Sequence, residues 1–369
     1  MKIAIDISQI VYEGSGVTLY TRNLVESLIQ YDQKNKYVFF FSSLRRSLNK
    51  EIESIISKKQ TIKKYPFPPT LLDFIWNKLH IFPIDHLIGK VDIVITSDWT
   101  EPPSSAKKIT IVHDLVYLTY PETLPQKIKD AQTRRMNWVK KESDLIIADS
   151  QSTKKDLIEL LKIADEKIKV IYPAVIHPKY EYSPTPQDTQ IILNKYKLTK
   201  PFILTVGKQE PRKNIPRLIS AFQNAKLKNI DLVIAGARGW GDSLKQIDNV
   251  RHLGFISDKE LYTLYSSALF FIYPSLYEGF GYPVIEAMNM GCPVATSNTS
   301  SLKEIGKDAC VLFNPYNKEE MTQSLVNLSV NKQLRQDLIK KGLQRALDFS
   351  DKKFAQQWLD VFDTFYDYR

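Results

Sequence analysis

Pro274-Ser275-Leu276-Tyr277-Glu278-Gly279-Phe280-Gly281-Tyr282-Pro283-Val284-Ile285-Glu286-Ala287-Met288 decides how the rest of the chain is read. Two carboxylates, Glu278 and Glu286, stand eight positions apart with two glycines and a proline between them. On one continuous helix they would lie roughly 12 Å apart, at a rise of 1.5 Å per residue. Pro283 argues against one helix. It removes a backbone donor, suits the start of a helix and disfavours the α region for Tyr282. Glu278 is therefore expected on a glycine-bearing loop, and Glu286 one turn into the helix that follows. The unpaired N–H groups at that helix start favour negative or oxygen-rich ligands. A strand–turn–helix with two solvated carboxylates fits the same spacing.

Working outward, residues 269–273 read as the strand that delivers this loop. Upstream, Phe202–Val206 reads as a strand that ends in Gly207-Lys208-Gln209-Glu210-Pro211-Arg212-Lys213-Asn214. Ile215, Leu218, Ile219 and Phe222 then mark one face of a helix. Arg212 and Lys213 fall at a strand-to-helix junction, where two cations and free backbone donors suit a diphosphate. A solvated basic pair is the plainer alternative. Further strands are expected at Asp231–Ala235, 251–255 and 293–296, with Gly236-Ala237-Arg238-Gly239 as a loop and Ser297-Asn298-Thr299-Ser300-Ser301 capping another helix. Residues 318–347 and 350–366 have helical patterning. Phe354, Trp358, Val361, Phe362 and Phe365 form an apolar stripe suited to packing.

The first half opens in the same way. Residues 2–7 are β-rich, residues 17–29 carry helical periodicity, and Tyr12-Glu13-Gly14-Ser15-Gly16 lies between them. Strand, glycine loop and helix form the usual start of a nucleotide-binding α/β domain, although Leu19 breaks the full G-x-G-x-x-G pattern. Strands follow at 37–41, 91–96, 109–112 and Leu145–Ala148, alternating with helices at Gln126–Glu142 and 152–161. Near-continuous Val/Ile runs between helices indicate parallel sheets covered on both faces, with ligands beyond the carboxyl ends of the strands. His113-Asp114 sits at such an end, and so does Asp149-Ser150, which also reads as a helix N-cap. From Pro173 to Pro201 the pattern breaks and reads as a linker. The expected divisions are residues 1–180, 181–349 and a final helix at 350–369.

A chain of 369 residues is longer than most single cores, which favours two domains. With 43% hydrophobic and 25% charged residues it has the composition of a soluble globular protein. The two cysteines, Cys292 and Cys310, supply neither a disulfide framework nor zinc spacing and read as core thiols of a reducing compartment. The first apolar run is too short for a signal peptide, and none approaches the ~18 residues of a membrane span. A soluble, cytoplasmic protein is expected. The net charge is +10, and nine basic residues lie between Lys34 and Lys64 against only Glu51 and Glu53. Tyr65, Phe67, Phe74 and Trp76 follow directly. Basic residues beside exposed aromatics are what a protein resting on an anionic membrane face would use. A solvated helix followed by a core-packing loop is the commoner arrangement. Nucleic acid is not indicated, since the basic residues are not interleaved with stacking aromatics and no recognition motif occurs.

Taken together, the chain resembles the retaining GT-B glycosyltransferases that carry an E-x7-E motif, glycosyltransferase family four. Residues 278–288 look like that signature. Gly207 with Arg212-Lys213-Asn214, the loop Gly14-Ser15-Gly16, His113-Asp114 and Ser297-Asn298 with Ser300-Ser301 support it. The resemblance implies an α/β fold of two Rossmann-like domains with parallel sheets facing a cleft, an acceptor-side N-terminal domain, a donor-side C-terminal domain and a last helix returning to the first. It implies that Glu286 holds ribose hydroxyls, that Glu278 lies beside the donor sugar, and that the amides of Phe280 and Gly281 reach sugar hydroxyls. Arg212 and Lys213, near Gly207, would bind the diphosphate and stabilise its growing charge. Gly14 and Gly16 would bring backbone to the phosphates, and His113 would orient the transferred sugar.

The reaction implied retains anomeric configuration through front-face attack, with Glu278 as nucleophile a minor alternative. No Asp-x-Asp pair occurs, so neither a metal-bridged diphosphate nor any cofactor is expected. The second half resembles mannosyltransferases of bacterial surface-polysaccharide assembly. The expected donor is thus GDP-mannose first and a UDP-hexose second, with a saccharide or lipid-linked acceptor at the inner membrane face. A nucleotide-sugar epimerase and a non-catalytic sugar-nucleotide-binding subunit are the rivals. Val17-Thr18 stands where many relatives place an arginine, and Tyr282 where a smaller residue is common. Both departures bear on substrate identity.

Overall fold

The structure, a computed structural model, describes residues 1–12, 14–58, 60–176, 184–208, 210–237 and 247–366. The expected boundary at 180/181, Glu13, Lys59, Gln209 and Arg238-Gly239 lie outside the described residues, as does the end of the final expected segment. The chain divides into two compact units, Met1–Ala174 with Asp351–Arg369, and Val175–Ser350.

In the first unit seven parallel strands form one sheet. They are β1 (Lys2–Asp6), β2 (Lys36–Ser42), β3 (Thr61–Tyr65), β4 (Ile93–Ser97), β5 (Lys107–Val112), β6 (Leu145–Ala148) and β7 (Ile168–Val170), in the order β3-β2-β1-β4-β5-β6-β7. The second unit has six, β8 (Phe202–Val206), β9 (Asp231–Ala235), β10 (Val250–Gly254), β11 (Phe270–Tyr273), β12 (Val294–Ser297) and β13 (Val311–Phe313), in the order β10-β9-β8-β11-β12-β13. Each order reverses direction once, between β1 and β4 and between β8 and β11. Ligands of doubly wound sheets bind at these reversals. The central strands are buried along almost their whole length, which is why they read as unbroken apolar runs.

The helices follow from their side chains. Ile215, Leu218, Ile219 and Phe222 of helix Ile215–Ala225 are all buried in one core with Leu232, Ile234, Phe270 and Ile272. Helix Asp258–Ser267 starts on a capping box between Ser257 and Glu260. Helix Asp351–Tyr366 belongs to the first unit, where Phe354, Trp358, Val361 and Phe362 are buried. Phe354 meets Tyr20 edge-on at 5.4 Å, and Tyr31 of the same helix as Tyr20 donates to Asp351 at 3.1 Å. The apolar stripe is packing.

Three expectations need correction. The stretch read as a linker contains helix Pro186–Lys195, started by a Thr185/Asp188 capping box with Pro186 in its first turn. The proline that suggested a break is a helix starter. Residues 318–347 are two helices, Lys318–Val330 and Lys332–Ala346, divided at Asn331, whose side chain accepts from the Leu334 amide. Most aromatics after the basic segment are not exposed. Trp76 is fully buried and donates to the Phe82 carbonyl, while Tyr65 and Phe67 stack on each other and pack on the same core. Of these four only Phe74 is exposed. Among the nine basic residues, Lys64 pairs with Glu53 at 2.5 Å across helix Lys50–Ser57 and the edge strand β3.

The turn after β9 brings two backbones unusually close. Gly207 donates to the Ala235 carbonyl, and a Cβ on Gly236 (φ 145°) would lie 2.1 Å from the Gly207 carbonyl oxygen. Neither atom is on a side chain that could move aside. Gly236→Ala is expected to destabilise the second unit by about 2 kcal/mol or more, read as a lowered denaturant midpoint.

Candidate active site

In the second unit the loops leaving β8 and β11 are tied together at the sheet's reversal. Pro211–Lys213 forms a single 3-10 turn, and Asn214 then takes a left-handed conformation (φ 59°) before the helix. Its amide side chain donates to the carbonyls of Pro274 and Pro315. The Leu276 amide donates to the Arg212 carbonyl at 2.8 Å, and Ser275 Oγ lies 3.2 Å from the same oxygen.

The charged groups complete this junction. Arg212 Nη1 donates to Glu278 Oε2 at 2.8 Å and to the Tyr277 carbonyl, while its Nε lies 3.2 Å from Glu210. Lys213 Nζ donates to Glu278 Oε1 at 2.6 Å, and its stem passes alongside Gly207. Tyr273 and Ser275 hydroxyls donate to the same Glu278 oxygen at 2.8 and 2.7 Å. Glu278 is only 9% exposed. Burial alone would raise its carboxyl, but Arg212 and Lys213 outweigh it and hold the group well below the usual carboxylate range. Burial, with Arg212 beside it, lowers the Lys213 ammonium, and Glu278 opposes that shift.

The remainder of the motif is held from the far side. The Glu278 amide donates to Ser300 Oγ, and Ser301 Oγ lies 2.8 and 2.7 Å from the carbonyls of Glu278 and Phe280, which share its single hydrogen. Thr299 donates to Leu276. The hydroxyls expected to cap helix Ser300–Gly306 thus face the motif loop, and Thr299 makes no side-chain cap. A carbonyl-rich loop with no strand partner needs these donors more than the helix end does. Phe280 packs edge-on against Tyr282 and Phe349. Gly281 (φ 112°) takes the non-helical geometry, so the helix runs Tyr282–Asn289 and begins one residue before Pro283. Among the described residues the amides of Phe280 and Gly281 meet no acceptor.

Glu286 lies one turn into that helix. Its Oε2 accepts from Tyr265 at 3.2 Å, and its Oε1 has no partner among the described residues. Burial raises its carboxyl to about 7 against the opposing hydrogen bond from Tyr265. The two glutamates are therefore unlike. One is an anion locked by cations, and the other is an isolated acid with an open oxygen.

In the first unit Gly14 (φ 75°) turns the chain into helix Gly16–Tyr31. Ser15 accepts from the Thr18 amide, which leaves the Gly16 and Val17 amides at the open helix start. His113, just past β5, is held at both ring nitrogens. Nδ1 lies 2.8 Å from Asp149 Oδ2 and Nε2 lies 2.8 Å from Ser97 Oγ, so the ends of β4, β5 and β6 meet there. Burial disfavours the charged ring, but Asp149 more than compensates and the net shift is upward. Ser150 caps the next helix through the Thr153 amide. Among the described residues no group of three His, Cys, Asp or Glu side chains is placed to hold a metal.

The second unit brings Gly207, Arg212, Lys213, Glu278, Phe280, Gly281 and Glu286 to one sheet reversal, and the first holds Gly14, Gly16 and His113 at its own strand ends. Sequence reasoning missed Tyr273, Ser275 and Tyr265 as partners of the glutamates, and Ser97 as a partner of His113. The Tyr265 and Ser97 contacts join separate elements and leave no spacing signal, whereas Tyr273 and Ser275 lie five and three residues before Glu278, a proximity that could have suggested them. Asp149, at the end of the strand beside β5, could have been paired with His113 once the strand order was known.

Comparison with known proteins matches both units. The family described as "Glycosyltransferase Family 4" matches residues 14–177, and "Glycosyl transferases group 1" matches residues 188–345. The O-antigen chain mannosyltransferase B of Escherichia coli is 28% identical over 274 residues, 71% of each chain. The serotype-specific mannosyltransferase WbdA of the same organism is 28% identical over 264 residues, 66% of this chain but 32% of that protein, so the chain spans about a third of its length. Among solved structures, a sucrose-phosphate synthase from Thermosynechococcus elongatus superposes with a TM-score of 0.75 at 17% identity, over 100% of both chains. With family matches on both halves and a pair of Rossmann-like sheets, the chain belongs to the GT-B glycosyltransferases of family four.

Proposed function

We propose that this glycosyltransferase moves a hexose, mannose in the first instance, from a nucleoside-diphosphate sugar to a saccharide acceptor carried on a lipid. GDP-mannose is the first donor and a UDP-hexose the second. The observation that carries this reading is the Arg212–Lys213 pair, largely withdrawn from water and held by Glu278 at the β8/β11 reversal. The mannosyltransferase relatives support the choice of sugar, and the O-antigen assembly named for one of them supports the acceptor class. A cytoplasmic site of action follows from that reading.

In this mechanism Glu286 accepts from the ribose hydroxyls. Arg212 and Lys213 take up the charge that grows on the diphosphate as its bond to the anomeric carbon breaks, a stabilisation of the oxyanion-hole type. The electron pair of that bond leaves with the phosphate, the acceptor hydroxyl bonds to carbon from the same face, and its proton passes to the departing phosphate oxygen. Configuration is retained. Glu278 is a poor nucleophile because both its oxygens are bound by cations and hydroxyls. Its part is to hold the two cations and to lie beside the sugar, with the Phe280 and Gly281 amides as donors. On the first unit, Gly16 is assigned to phosphate and His113, steadied by Asp149, to the sugar.

The membrane face is the supposed place of the acceptor. Leu71, Phe74, Leu79, Ile81 and Phe82 are exposed by 39% to 54%, and Lys78 lies 5.5 Å from the Phe74 ring. No helix among the described residues is long and apolar enough to cross a membrane. A peripheral contact through this stretch suits that setting.

Incubation with GDP-mannose and a panel of UDP-hexoses, with and without a lipid-linked saccharide, tests the reaction. Transfer only in the presence of acceptor is expected, with turnover lowered about 100-fold or more in Lys213→Ala. Conversion of the donor without acceptor would instead point to an epimerase. Calorimetric binding of the nucleoside diphosphate should weaken as pH falls through about 7, where Glu286 gains a proton and loses acceptor capacity. Glu286→Gln should flatten that dependence, and a dependence that survives it would remove Glu286 from the ribose site. Sedimentation with anionic vesicles should retain the protein and release the Phe74→Asp variant.

A further inference from the structure

One side chain stands between Lys213 and Glu278 without any role in the reading above. Tyr273 is the last residue of β11 and is 2% exposed. Its hydroxyl lies 2.6 Å from Lys213 Nζ and 2.8 Å from Glu278 Oε1, while Lys213 Nζ itself lies 2.6 Å from that same Oε1. The three groups close a triangle.

The directions of its hydrogen bonds are forced. A phenol has one hydrogen, an ammonium has only donors, and an ionised carboxylate has only acceptors. Tyr273 must therefore donate to Glu278, and it can only accept from Lys213. Two of the three Lys213 N–H groups are then committed, one to the carboxylate and one to the phenol. The third has no acceptor among the described residues. With two donors fixed at a tetrahedral nitrogen, the direction of the third is fixed as well. Glu278 alone could not do this, because one contact leaves the ammonium free to rotate about it.

We infer that Tyr273 is a positioning residue for the transfer, whose hydroxyl orients the Lys213 ammonium so that its remaining donor meets the diphosphate of the leaving nucleotide. The inference rests on the assignment of Arg212 and Lys213 to that diphosphate. The charged groups facing Lys213 are Glu278 from the loop after β11, and Arg212 and Glu210 from its own loop. Tyr273 is the neutral contact from the sheet. Its lone pair favours the charged ammonium, as Glu278 does, whereas burial and Arg212 oppose it.

Tyr273→Phe removes one oxygen and keeps the ring among its neighbours. The expected result is a kcat lowered about 10-fold with the donor KM within about 2-fold, since orientation counts most where charge develops. The alkaline limb of the kcat profile should also move to lower pH, because an ammonium that has lost an acceptor gives up its proton more readily. Core packing alone would move neither. A kcat and an alkaline limb both unchanged in Tyr273→Phe would overturn the inference. If that variant folds poorly, ring-fluorinated tyrosine in place of Tyr273 keeps the shape and weakens the oxygen as acceptor. An intermediate kcat is then expected, and an unaltered one overturns the inference. Lys213→Ala separates the two levels. Full activity in Lys213→Ala sinks the diphosphate site itself, whereas an inactive Lys213→Ala beside an unaltered Tyr273→Phe sinks only the role of the phenol.

Discussion

A carboxylate shared by two cations governs the second unit. Arg212 and Lys213 are both largely withdrawn from water, and cations so placed need a counter-charge. Glu278 supplies it and in doing so ties the loop after β8 to the loop after β11. Removing one partner of such a buried set typically costs about 3–5 kcal/mol, because the others stay charged and unpaired. The neighbouring contacts serve the same junction. Asn214 reaches Pro274, Ser275 reaches the Arg212 carbonyl, and Ser300 and Ser301 hold the Glu278 backbone. A loop with no strand partner cannot be stabilised by a strand ladder. Side-chain hydroxyls do that work here.

Position in the sheet explains why these polar residues gather where they do. Both units repeat one strand order, and in both the groups of interest follow the carboxyl ends of strands at or beside the reversal. Parallel packing buries the strands on two faces, so polar side chains are tolerated mainly where the strands end. His113, Asp149 and Ser97 in the first unit obey the same rule as Lys213, Tyr273 and Glu278 in the second.

Much of this was legible in the sequence, and the unreadable part has a common cause. Unbroken runs such as 109–112 and 202–206 predicted strands, and Gly281 with Pro283 predicted a loop followed by a helix. The strands β3, β7 and β13 leave no sequence signal, since three to five residues at a sheet edge carry too little periodicity. Pro186 reads as a breaker in the sequence because the Thr185/Asp188 capping box beside it lies in a polar run that also resembles a linker. The glutamates and the cations were found by spacing. Their separation into a locked anion and an open acid was only partly visible. It depends on Tyr273, five residues before Glu278 at the end of β11, and on Tyr265, which approaches Glu286 from helix Asp258–Ser267.

The lock on Glu278 has a further consequence for selectivity. With Glu210 and Glu278 set against Arg212 and Lys213, these four side chains carry no net charge. A passing anion meets a balanced group and must compete with a carboxylate already in place at contact distance. Only a ligand that adds other anchors, such as a ribose and a sugar, gains enough to draw the cations away from their internal partner. When those anchors are cut from one another, Glu278 is the nearest competitor for the cations. The chain carries its own displacing anion.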